Sequence, residues 1–122
     1  MECEQKTVFR ILTAAEWRDA QTQARVPMSD LDQHDGFVHL STGETTLETA
    51  NLYFDPVTKP VVIEIDAAAL GADLRWEVVE SRNNAVFPHL YANGIPLNAV
   101  SAVIELVVTD AGFEKGERRS HQ

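Results

Sequence analysis

Cysteine occurs once, at Cys3. That scarcity excludes an internal disulfide and any zinc site built from thiolates. Cys3 also lies in an end expected to fray, with no base near it in sequence to make it a nucleophile. Long apolar runs are missing too: nothing approaches the ~20 residues that a membrane helix needs. The start, Met1-Glu2-Cys3-Glu4, is acidic, where a secretory signal is basic and then apolar. The expectation is a cytoplasmic protein without a membrane partner. Basic residues are few, 10 Lys and Arg against 19 Asp and Glu, for a formal charge of −9. Proteins that grip a phosphate backbone neutralise it with Lys and Arg, so nucleic acid is not an expected partner. A small anionic ligand held by one or two arginines needs only a local field and stays open.

Several motifs are absent as well. There is no P-loop, no G-x-G-x-x-G and no G-x-S-x-G, which removes the common phosphate cradles and the nucleophile elbow. His34, His39, His89 and His121 show no metal-ligand spacing, so no metal is expected. No motif requires a cofactor.

What is present reads as one α+β domain over residues 1–113, followed by a charged tail, 114–122, expected to be disordered. Thr7–Leu12 alternates as a first strand, and Thr13 stands at capping-box spacing from Glu16 before a helix carrying Trp17, Ala20 and Ala24. The stretch from Arg25 to Asp35 reads as irregular, closed by an Asp35-Gly36 turn. Phe37–Ser41 is a second strand. Ser41 and Glu44 repeat the capping-box spacing ahead of a second helix, with Leu47, Ala50 and Phe54 on one face and Asp55-Pro56 as its stop. Pro60–Asp66 is a strand whose unbroken Val61-Val62-Ile63 suggests burial on both faces. Ala67–Leu70 is one helical turn, and Leu74–Glu80, Val86–Tyr91 and Val100–Thr109 are further strands. With two helices, both in the N-terminal half, the expected architecture is a mixed, strongly twisted sheet.

Three groups of residues could carry chemistry. His39 sits in an apolar strand directly before Ser41 and Thr42. It is either a buried hydrogen-bonder or a group aimed at an anion beside the following helix start, where Ser41 and Thr42 would bind ligand or merely cap. Arg75 and Glu77 share one strand face. They form either a solvated surface pair or a cleft wall that binds an anionic group and a sugar hydroxyl. In Phe87-Pro88-His89-Leu90-Tyr91, an aromatic ring could stack on a planar ligand while His89 hydrogen-bonds it; the plainer reading is a packed strand.

These segments, Asp35-Gly36-Phe37-Val38-His39-Leu40-Ser41-Thr42, Thr49-Ala50-Asn51, Val62-Ile63-Glu64-Ile65-Asp66, Leu74-Arg75-Trp76-Glu77 and Phe87-Pro88-His89-Leu90-Tyr91, resemble in order the family called domain of unknown function 952. The resemblance implies an ADP-ribosyltransferase-like fold. Val38-His39-Leu40-Ser41, Pro60–Ala67 and Asn93-Gly94-Ile95-Pro96-Leu97 are also similar to the catalytic lobe of RNA 2′-phosphotransferases, which use NAD. The resemblance places His39 in an NAD site and makes NAD or a related nucleotide the implied ligand, as substrate. The carry-over falls on His39 alone; the nucleotide reading built on it takes His39 and Glu77 as catalytic, and Arg10, Ser41, Thr42, Arg75, Phe87, His89 and Tyr91 as ligand-binding. One departure stands out. Phe9-Arg10-Ile11 occupies a first strand in which such relatives carry a histidine, and Arg10 can hold phosphate but cannot relay a proton as a neutral imidazole. The alternatives to an enzyme are a non-catalytic module for a small anionic metabolite, or an interaction domain whose polar residues satisfy one another.

Overall fold

A computed structural model describes residues 6–121; Cys3, the acidic start and Gln122 lie outside them. The elements run β1 (Thr7–Leu12), α1 (Ala14–Gln23), β2 (Arg25–Pro27), α2 (Asp30–Asp35), β3 (Val38–His39), α3 (Thr46–Tyr53), β4 (Val61–Asp66), α4 (Ala67–Leu70), β5 (Leu74–Val79), β6 (Ala85–Leu90), β7 (Gly94–Pro96), β8 (Val100–Thr109) and β9 (Gly112–Ser120). They form a four-stranded sheet of order β1-β4-β8-β9, a β2-β7 pair and a three-stranded sheet of order β3-β6-β5.

The alternation of β1 divides the interior. Val8 and Leu12 join Ile63, Ile65, Val38, Leu90 and Ile95 in the larger core. Phe9 and Ile11, on the opposite side, meet Val62, Ile104 and Phe113 under Leu47 and Ala50 of α3 and Phe54 just after it. Strand β4 is therefore covered on both faces, and Val62 and Ile63 are fully buried. The period-2 geometry puts Arg10 on the same side as Val8 and Leu12. A guanidinium thus points toward the larger core and needs a partner there.

Two backbone seams join the sheets. Phe9 and Ser41 exchange N–H···O bonds of 2.9 and 2.7 Å, and the Leu40 N–H donates to the Pro88 carbonyl at 3.2 Å. Proline has no N–H, but its carbonyl still completes this contact. Strand β3 pairs only with β6, and Ser41 just beyond it makes the bridge to β1.

Four expectations are corrected. The sheet is not mixed: every ladder among the described residues is antiparallel. The irregular stretch holds β2 and the additional helix α2, so the described residues of the N-terminal half form three α-helices, not two. Ser29 and Asp32 form a reciprocal capping box, and Gly36, at φ 88°, closes α2. The tail is not disordered from residue 114, because β9 pairs with β8 from Thr109↔Gly112 to Ala102↔Ser120. Its charges lie exposed at a sheet edge, where Arg118 reaches across to Glu64 at 2.7 Å; Phe113 anchors the start of β9 in the smaller core, and backbone pairing carries the polar remainder. Finally, α3 begins at Thr46 behind Thr45, not behind Ser41.

Gly94 is required by both conformation and space. Its φ is 141°, and a Cβ there would stand 2.5 Å from the Val26 carbonyl oxygen. Gly94→Ala should break the β2-β7 pairing and destabilise the fold by about 2 kcal/mol or more, read as a lowered urea midpoint; an unchanged midpoint would show that the strands can part freely.

Candidate functional site

The site is built on α2, β1 and the face of the β3-β6-β5 sheet opposite the one that Val38, Leu74, Trp76 and Leu90 turn to the larger core. Asp32, fully buried, is its centre. Its carboxylate accepts from Arg10 Nη1 at 3.2 Å and Nη2 at 2.8 Å, from the Ser29 N–H at 2.9 Å, and from the backbone N–H and Nδ1 of His39 at 3.1 and 2.6 Å. One carboxylate therefore caps α2, neutralises the inward arginine of β1 and orients the imidazole of β3. Arg10 also donates to the His39 carbonyl at 2.7 Å, while its buried Nε has no partner.

The other His39 nitrogen, Nε2, donates to Asp35 Oδ2 at 2.8 Å. With a carboxylate on each nitrogen, both must donate, which is the geometry of an imidazolium. Burial alone pushes His39 down, but the hydrogen bonds from Asp32 and then Asp35 outweigh it and raise its pKa above 6.5. Burial likewise pushes Asp32 up, yet His39 and then Arg10 hold it well below the usual carboxylate range. Asp35 is lowered by the hydrogen bonds of His34 and then His39.

A second cluster stands beside the first. Antiparallel pairing sets Arg75 opposite His89 and Glu77 opposite Phe87. Glu77 Oε1 accepts from His89 Nδ1 and from the Tyr91 hydroxyl, both at 2.7 Å. Those two bonds, His89 first, lower the Glu77 pKa, and Glu77 in turn raises that of Tyr91. The Arg75 guanidinium lies 4.7 Å from the Tyr91 ring centre.

Phe37 joins the clusters. Its ring stacks on His89 with centroids 4.0 Å apart and planes at 20°, and stands 4.6 Å from His39 and 5.4 Å from Tyr91. An open depression of about 390 Å³ lies alongside, lined by Met28, Gln33, Gly36, Tyr91, Ala92 and Asn93.

The structure thus brings His39, Arg75, Glu77, His89 and Tyr91 together. It does not bring the other expected residues to an open surface. Arg10 is spent on Asp32 and the His39 carbonyl, beneath the imidazole. Ser41 and Thr42 are buried; their hydroxyls meet Thr46 at 3.2 Å and Thr45 at 2.9 Å in the approach to α3. Phe87 is buried, with the Arg82 guanidinium 4.7 Å from its ring. Asp32, Asp35 and Phe37 are the residues that sequence reading missed. The Ser29-x-x-Asp32 spacing ahead of Asp35-Gly36 was the available signal. No group of three or more His, Cys, Asp or Glu among the described residues is arranged to hold a metal, and none of their helices is long and apolar enough to cross a membrane.

The architecture is α+β, with open antiparallel sheets and a buried Arg-Asp-His network under an aromatic and imidazole cluster. The chain belongs to the family described as Protein of unknown function (DUF952), whose model matches residues 11–103. It is similar to protein CC0527 from Caulobacter crescentus. The crystal structure of that protein is 37% identical, with a TM-score of 0.79 over 88% of this chain and 91% of that one. Its solution NMR structure is 37% identical, with a TM-score of 0.75 over 89% and 91%. No curated protein matches.

The charge network fixes a pH response. The raised His39 pKa contributes stability that is complete below about 6.5 and lost as pH rises through the folded value. The lowered Asp32 pKa contributes stability present above about 3.8 and lost as pH falls toward its folded value. Stability from this network should peak between those limits. Asp32→Asn, which leaves Arg10 buried without its counter-charge, should cost about 3 kcal/mol or more and flatten the acid limb, as measured by urea denaturation from pH 3 to 8 (roughly the span of the two ordinary pKa values).

Proposed function

We propose that the face of the β3-β6-β5 sheet beside α2 binds NAD or a related nucleotide carrying ADP-ribose, and that the fold is related to the ADP-ribosyltransferases as the sequence resemblance implies. One observation carries the reading: His39, His89, Tyr91, Glu77 and Arg75 converge on one face around the Phe37 ring. A ligand with a planar base, a sugar and a diphosphate has a counterpart for each part there. Tyr91 offers a ring, His89 and Glu77 offer hydrogen bonds, and Arg75 and His39 offer positive charge. In a glycohydrolase or ADP-ribosyl-transfer reaction, Glu77 would face the ribose. Its carboxylate stays ionised and would stabilise the positive charge that develops at the sugar carbon as the bond to nicotinamide breaks. NAD is then substrate, with no resident cofactor.

A second reading, a binding module for a small anionic metabolite, is favoured by a different observation. Both nitrogens of His39 already donate to carboxylates, so it has no lone pair with which to take a proton. Arg10, in the place of the relatives' histidine, supplies none either. His39 then binds charge, and no bond need be broken.

Titration calorimetry with NAD and with ADP-ribose separates these readings. Binding that weakens at least tenfold in Arg75→Ala is expected, the loss of about 1.4 kcal/mol. No heat at roughly 1 mM of either nucleotide, a limit near −4 kcal/mol, ends the nucleotide reading. Nicotinamide released by the parent protein and by His34→Ala but not by Glu77→Gln supports turnover; binding without release supports the module.

A further inference from the structure

The two carboxylates on His39 are unequal. Asp32 is 1% exposed at its side chain and bonded on every side, whereas the Asp35 side chain is 33% exposed and belongs to the last residue of α2. Beyond His39, Asp35 has only the hydrogen bond of His34 at 3.0 Å, from a side chain 84% exposed. Gly36 follows at φ 88°, with nothing within 4 Å of the place a Cβ would take, and its N–H and that of Phe37 both donate to the Asp32 carbonyl, at 2.8 and 3.2 Å, so Asp35 can leave Nε2 by side-chain rotation while the turn stays in place.

Counting charge gives the consequence. Arg10 and imidazolium His39 carry two positive charges against the one negative charge of Asp32, so the buried network has one positive charge in excess. Asp35 neutralises it through Nε2, on the side of the imidazole away from Asp32. An ion pair open to solvent on both partners is weak, so this contact exchanges cheaply, while the buried one does not.

We infer that His39 Nε2 is an anion seat, that Asp35 occupies it as an internal stand-in, and that an acidic group of the ligand, a phosphate or carboxylate, displaces Asp35 on binding. The inference deepens the proposed function and rests on that sheet face taking an anionic ligand. It also gives Asp35 a distinct role: it sets the threshold that any anion must exceed, and it keeps the seat closed to weakly charged solutes. An intramolecular competitor lowers apparent affinity by the fraction of molecules in which it is released. Phe37, two residues on and stacked on His89, keeps the aromatic floor in place while the carboxylate leaves.

The test is titration at pH 6, where His39 stays protonated, using inorganic pyrophosphate and ADP-ribose as separate probes, with the His39 Nε2 resonance followed by NMR. In the parent protein pyrophosphate should bind weakly and move that resonance. Asp35→Ala and Asp35→Asn, both at an exposed position, should each bind pyrophosphate roughly fivefold or more tightly. Unchanged or weaker binding in both variants, or a His39 resonance that pyrophosphate leaves in place, overturns the assignment. If pyrophosphate behaves as expected and ADP-ribose binds no form of the protein, the seat stands and the nucleotide reading falls.

Discussion

A single buried carboxylate organises this molecule. Asp32 accepts hydrogen bonds from three separate chain segments, β1 through Arg10, the start of α2 through Ser29, and β3 through His39. A carboxylate so deep in a protein is costly unless its charge and every lone pair are answered. Here each donor also needs Asp32. Arg10 points to the core side of β1, α2 needs a cap for its first N–H groups, and His39 needs an acceptor for Nδ1. Removing Asp32 strands all three donors, and removing any one of them leaves Asp32 short of a hydrogen bond.

From that centre the polar groups extend outward in order of exposure. Asp32 and Arg10 are enclosed, His39 is half-buried, and Asp35 meets solvent. The second cluster repeats the scheme with Glu77 as acceptor and His89 and Tyr91 as donors, and Phe37 holds the two together by ring contact. Such an arrangement presents imidazoles in fixed directions on strands paired in register. Affiliation with the DUF952 family and likeness to protein CC0527 establish the scaffold. The chemistry has to be argued from the side chains themselves.

Much of the scaffold was legible from local pattern. Thr7–Leu12, Ala67–Leu70 and Val100–Thr109 carry their strand and helix signals within their own residues, and the Thr13–Glu16 capping box marks the start of α1. The irregular-looking stretch was not legible, because α2 is only six residues long and polar, too short for hydrophobic periodicity to appear. Strand β9 was hidden for a related reason: an edge strand held by backbone pairing shows no apolar alternation. The Ser41–Glu44 spacing imitates a helix start, but the backbone of Ser41 is engaged by Phe9, and the helix waits until Thr46.

The sequence by itself determined the residue types that can carry charge or stack, the membership of most strands and the family. It placed Arg10 in the first strand, where it read as a phosphate ligand. Tertiary structure alone decided that Arg10 finds its partner in Asp32, that Ser41, Thr42 and Phe87 turn inward, and that His39 holds a carboxylate on each nitrogen. The reason is physical. Local propensity acts within a few residues, whereas desolvation and charge neutralisation act between whichever groups the folded chain encloses together.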